Sequence, residues 1–162
     1  MDKHSLETLE LEFAILIRRV SLITKYNKFG TLDKAAYLLL HQITSHGSAG
    51  VKALADESHL DISTVSRQAA ALEQKGYVYR IPDPLDGRAC SLQITDLGTK
   101  EYSEHKQARL AKIADILKNW SDEECEVFGQ LLRKYNRSII NIKYDLPNIK
   151  TEGSNVMPHP PI

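Results

Sequence analysis

The chain has 162 residues, of which 42% are hydrophobic and 26% charged, a globular composition sized for one compact domain or two small lobes sharing a core. Twenty-one basic residues balance 21 acidic ones, which excludes attachment to nucleic acid through bulk charge but leaves room for a few well-placed arginines. No apolar run approaches the roughly 20 residues that span a bilayer. The opening MDKHSLETLE lacks the apolar core of a signal peptide. Cys90 and Cys125 form neither a disulfide framework nor a CxxC metal signature. A cytoplasmic protein is expected.

In chain order, Ser5 to Lys25 predicts an amphipathic helix whose seam is Leu6, Leu9, Phe13, Leu16, Val20 and Ile23, widened by Ile15 and Ile17. Gly30 breaks it. Thr31 and Asp33 open a second helix running to about Ile43, and the loop SHGSAG follows. Val51 to Glu57 predicts a short helix with Leu54 and Ala55 inward. After the turn Ser58-His59-Leu60, Asp61 is placed to cap a helix from Ile62 to Lys75 at the Thr64 amide, and Gly76 stands just past its end. Two helices joined by so short a turn make a helix-turn-helix.

At about 100° per residue, Ile62, Val65, Ala69 and Leu72 share the inner side of that second helix. Ser63, Arg67, Ala70 and Gln74 lie opposite, flanked by Thr64 and Ser66. This outer face is small and polar, with one arginine and no acid before Glu73. Small residues permit close approach to a groove, while hydroxyls and a guanidinium suit phosphates and base edges.

Tyr77 to Ile81 and Ala89 to Thr95 predict a β-hairpin with a long tip, PDPLDGR. Asp86 and Arg88 flank Gly87 closely enough to pair, which would stiffen the tip and aim the guanidinium outward, as suits a narrow minor groove. Thr95 caps a helix from Asp96 to about Trp120, with Leu110, Ile113, Leu117 and Trp120 as its apolar stripe. Ser121 to Glu124 is a capping box. The last helix carries Phe128, Leu131, Leu132, Tyr135, Ile139 and Ile142 on one side and stops at Pro147, with a polar, disordered tail expected beyond.

The pieces STVSR, LEQKGYV, DPLDGR and LQITDLG closely resemble the winged-helix core of the MarR family of bacterial transcriptional regulators, specifically over residues 51 to 98. The resemblance implies a mainly α fold with a small β-hairpin wing, ordered α-α-α-α-β-β-α-α. It implies dimerisation helices at 1–30 and 97–146 around a winged helix-turn-helix at 31–96, with 147–162 as tail. It also implies a homodimer on palindromic double-stranded DNA, acting as a repressor. Carried over by position, Ser63, Thr64, Ser66 and Arg67 would read the major groove. Arg88 would enter the minor groove, supported by Asp86 and Gly87. Leu6, Leu9, Phe13, Leu131, Tyr135, Ile139 and Ile142 would build the dimer. Residues 51–100 hold six basic and seven acidic groups, a net charge of −1, so affinity must come from placement and non-specific binding should be modest.

Rival readings have less behind them. No phosphate loop, GxSxG elbow or HExxH helix occurs, so no enzyme and no cofactor are expected. His41 and His105 could converge, but two histidines are too few for a closed zinc site. Cys90 alternates with Leu92 and Ile94 as a strand residue does, and three acids beside Cys125 oppose its activation, which argues against a thiol switch. A winged helix used for protein contacts is the main alternative, and Arg67 with Arg88 speaks against it. Many relatives release DNA when an aromatic or phenolic anion binds. Arg18 and Arg19 could take a carboxylate here, with Tyr37 and His41 on its ring.

Overall fold

The computed structural model describes residues 2–26, 32–82, 85 and 89–140, with side chains of the first segment to residue 22. Its elements are α1 (Lys3–Tyr26), α2 (Lys34–His46), β1 (Ser48–Gly50), α3 (Val51–Ser58), α4 (Ile62–Gln74), β2 (Val78–Pro82), β3 (Cys90–Ile94), α5 (Asp96–Ile116) and α6 (Asp122–Ile140). They fall into two compact units that divide between Asn119 and Trp120.

In the first unit, side-chain caps set where α2, α4 and α5 begin. Asp33 accepts the Ala36 amide at 2.8 Å to open α2, and Asp61 accepts the Thr64 amide at 2.7 Å to open α4. Each satisfies an amide that the helix leaves unpaired. Between α3 and α4 the chain turns through His59 in the left-handed region (φ 54°), where the amides of His59 and Leu60 close on Asp56 and Ala55. The core gathers around α2: Leu39, Leu40 and Ile43 meet Leu54 and Ala55 of α3, Val65, Ala69 and Leu72 of α4, Val78 of β2 and Leu92 of β3.

The sheet has three strands, not the two of a lone hairpin. β1 pairs antiparallel with β3, so the order is β1-β3-β2 and Ala49 and Arg80 flank Leu92 on either side. β3 thus becomes a central strand, and Leu92 is fully buried. Three further expectations are corrected. α2 runs on to His46. α5 stops at Ile116, and residues 117–120 turn, with Leu117 closing on the Ile113 carbonyl. Ile62 lies outside the core, 52% exposed, because it opens α4 one turn ahead of Val65, where the helix first reaches the core.

α5 packs on α2 through Tyr102 and His105, both buried. Its start is tied to the end of α4 by Thr95, which accepts the Gly98 amide at 2.9 Å and donates to the Gly76 carbonyl at 2.7 Å.

The second unit contains α6, opened by a reciprocal box: the Ser121 amide donates to Glu124 at 2.8 Å and the Glu124 amide to the Ser121 hydroxyl at 3.1 Å. Trp120 meets Phe128 edge-on, their ring centroids 5.4 Å apart. No residue of α6 is buried. Ile142 and the tail lie outside the described residues.

Candidate nucleic-acid interface

The outer face of α4 is built as its periodicity predicts. Val65, Ala69 and Leu72 anchor it to the core, so Ser63, Arg67, Ala70 and Gln74 are exposed and Thr64 and Ser66 half-buried on the flanks. Arg67 donates from Nη2 to the Thr64 hydroxyl at 3.3 Å, which ties the guanidinium to the leading turn of the helix. The Asp61 carboxylate accepts both the Ser63 and the Thr64 hydroxyls. A cap at Asp61 is legible in the sequence, but its hold on two hydroxyls is not.

Behind α4, Arg80 of β2 donates from Nε to Glu73 at 2.9 Å and from Nη1 to Cys90 Sγ at 3.3 Å. That joins the last turn of α4 to the base of the hairpin across both strands. Arg80 is therefore a brace, and no sequence motif marks it. The hairpin tip is described only at Leu85, which is 97% exposed. Asp86, Gly87 and Arg88 lie outside the described residues.

A second cluster joins α2 to α5. His41 Nδ1 and the Tyr102 hydroxyl share a hydrogen bond of 2.8 Å. The Tyr37 ring stacks on Tyr102 at 5.5 Å, tilts against His105 at 5.0 Å and lies beneath the Arg109 guanidinium at 5.0 Å. Tyr37 and His41 are thus brought together, by Tyr102, while Arg18 and Arg19 stay exposed on α1. His41 and His105 do converge on one cluster. Among the described residues, however, no group of three or more His, Cys, Asp or Glu side chains could hold a metal ion.

His105 is 97% buried by its 3% exposure, and its Nδ1 has no hydrogen-bond partner. Burial first, and then the nearby Arg109 charge, push its pKa below the ordinary 6.5. Between those two values the unfolded chain holds a proton that the folded chain lacks, so stability rises with pH there. Unfolding free energy should therefore be fully retained above 6.5 and fall as pH drops below it. His105→Phe, which keeps a ring without a titrating nitrogen, should flatten that fall in urea titrations at stepped pH. An unchanged slope in the variant would assign the acid lability to other groups.

The profile of the MarR family matches residues 32–90. YxaD of Bacillus subtilis, described as an HTH-type transcriptional regulator, is 43% identical over 141 residues, 86% of this chain and 99% of that protein. FabT of Streptococcus pneumoniae, solved in complex with DNA, superposes with a TM-score of 0.70 at 21% identity, over 85% of this chain and 99% of that one. PcaV of Streptomyces coelicolor, solved with its natural ligand, superposes at 0.64 and 21% identity, over 76% of this chain and 91% of that one. At such identities these two structures speak for the fold alone. Among the described residues no helix is long and apolar enough to cross a membrane. The shared winged-helix fold, the matched profile and a relative aligned along almost its whole length lead to one conclusion: the chain is a DNA-binding, HTH-type transcriptional regulator and belongs to the MarR family.

Proposed function

We propose that the protein is a homodimeric repressor whose two winged helices sit on a palindromic operator. Ser63, Thr64, Ser66 and Arg67 read the major groove, and Arg88, backed by Asp86 and Gly87, enters the minor groove. The observation that carries this is the outer face of α4, exposed, small and polar, with Arg67 tethered to Thr64 at its leading end. The segments 1–30 and 97–146 serve dimerisation and 31–96 serves reading. Two heads on one dimer require half-sites about one helical turn apart, centre to centre.

Gel shifts on DNA selected from a random duplex pool, and on the DNA upstream of the chain's own gene, test the assignment. Arg67→Ala should weaken specific binding by about 1–3 kcal/mol if the guanidinium grips a guanine through two bonds. Arg88→Ala should cost most on A·T-rich flanks, where the groove is narrow. Wild-type affinity in Arg67→Ala would remove α4 from the interface.

Release by a small aromatic or phenolic anion extends the proposal. Support comes from the aromatic cluster of Tyr37, His41 and Tyr102 at the α2–α5 junction, and from the natural ligand bound to the similarly folded PcaV. Such a ligand acts only through a preference for one placement of the heads over another.

A further inference from the structure

Capping α4 requires one oxygen of Asp61 on the Thr64 amide, and that bond is present at 2.7 Å. The same carboxylate also accepts the Ser63 hydroxyl and, through Oδ2, the Thr64 hydroxyl at 2.6 Å. A hydroxyl has one proton to donate and two lone pairs with which to accept, whereas an ionised carboxylate only accepts. Both hydroxyl protons are therefore committed to Asp61. The bonds from Ser63, then those from Thr64, hold the Asp61 carboxyl well below the ordinary carboxylate range, so it stays ionised at neutral pH. Thr64 Oγ1 spends a lone pair on Arg67. Ser63, exposed at the second position of the helix, gives its one proton to Asp61 and keeps its lone pairs to accept with.

We infer that Asp61 sets the hydrogen-bond polarity of this leading edge, so that Ser63 reads an exocyclic amine in the major groove, adenine N6 or cytosine N4, and not a phosphate. Phosphate oxygens, purine N7 and the keto oxygens all accept, and two acceptors facing each other repel; the exocyclic amines are the donors in that groove. The neighbouring negative charge of Asp61 disfavours phosphate further. Every base pair offers one amine, on its A or its C, so what Ser63 distinguishes is the strand that carries it. The readout is amino over keto at one position of each half-site. This inference rests on the proposal above that the first turn of α4 faces base edges.

The test is selection from a random duplex pool with the full-length parent, Ser63→Ala, Asp61→Gly and Arg67→Ala, followed by affinities on the selected sites. Glycine at a helix cap costs little, and a thermal melt checks that Asp61→Gly is folded. The parent should enrich A or C over G or T at one half-site position, and Ser63→Ala should lose that preference. Asp61→Gly should relax it or turn it towards G or T, because without the carboxylate the serine proton is no longer held and can be donated to the DNA. Replacing the selected adenine by purine, which lacks the amine, should weaken the parent about fivefold to tenfold and leave Ser63→Ala unaffected. Selected sites that are the same in all of parent, Ser63→Ala and Asp61→Gly would overturn the inference. So would a Ser63→Ala loss that is equal on every sequence, which marks a phosphate contact. Arg67→Ala separates the two levels: if it too binds like the parent, the placement of α4 fails, and if it alone is impaired, only the role of Asp61 and Ser63 fails.

Discussion

Leu131→Asp in the full-length chain should run as a monomer in light scattering at micromolar concentration and should bind the operator at least about a hundredfold more weakly than the parent. The expectation begins with α6, a 19-residue helix with no buried residue. Phe128, Leu131, Leu132 and Tyr135 lie along one side and remain exposed, Leu131 at 58%. The first helix is similar, with Leu6, Leu9, Leu16, Ile17 and Val20 exposed. Contiguous apolar stripes of this kind suit an interface, and in the proposed dimer a second copy of the chain would supply matching ones through an isologous contact. Each leucine covered contributes about 1.5–3 kcal/mol, and a carboxylate buried among them costs several more. Loss of the dimer unlinks the two reading heads, and linkage alone multiplies affinity by about 10²–10⁴. Gln130→Asp adds the same charge on the opposite side of α6 and should leave both readouts near the parent. A dimer that survives Leu131→Asp combined with Tyr135→Asp would place the interface elsewhere.

How much of this was legible in the sequence depends on whether a feature is local. Asp33, Asp61, Thr95 and Ser121 announce helix starts because a cap needs only a side chain and an amide three residues on, and all four close as expected. The inner side of α4 follows from a helical period, except at Ile62, where the period is right but the core has not yet begun. β1 has no such signature. Ser-Ala-Gly is too short to alternate and too small to show β propensity, and it becomes a strand only because β3 offers a free edge to Ser48–Gly50. The buried side of α5 is hidden for another reason. Gly98, Tyr102 and His105 form it, residues that read as polar or neutral, whereas the apparent stripe at Leu110 and Ile113 is exposed. In the candidate interface, the positions of Ser63, Thr64, Ser66 and Arg67 came from spacing and resemblance. The direction of their hydroxyl protons depends on rotamers that no spacing encodes, and so does the brace of Arg80 on Glu73 and Cys90.

Gly98 and Gly129 offer the same substitution with opposite outcomes. Both lie inside helices, where alanine is favoured over glycine by about 1 kcal/mol. At Gly129 of α6 an added Cβ meets nothing within 4 Å, so Gly129→Ala should stabilise by about 0.5–1 kcal/mol. At Gly98 of α5 a Cβ would stand 2.1 Å from the Tyr77 carbonyl oxygen and 2.9 Å from Ile94 Cγ1. The oxygen has nowhere to go. It accepts the Thr95 amide at 3.0 Å and, at 3.2 Å, shares the Thr95 hydroxyl proton with the Gly76 carbonyl, and the Tyr77 amide is itself bound to the Leu72 carbonyl at 3.0 Å. These bonds lash the end of α4, the start of β2 and the start of α5 into one joint, and Gly98 is what lets the backbones approach so closely. Gly98→Ala should therefore cost about 2–3 kcal/mol in urea unfolding, net of its gain in helix propensity. It should also lower operator affinity if α4 reads DNA as proposed, because the same joint fixes the end of α4 beside the start of α5. A Gly98→Ala protein as stable as the parent would mean that the joint opens at little cost, and α4 would then be free to move relative to α5.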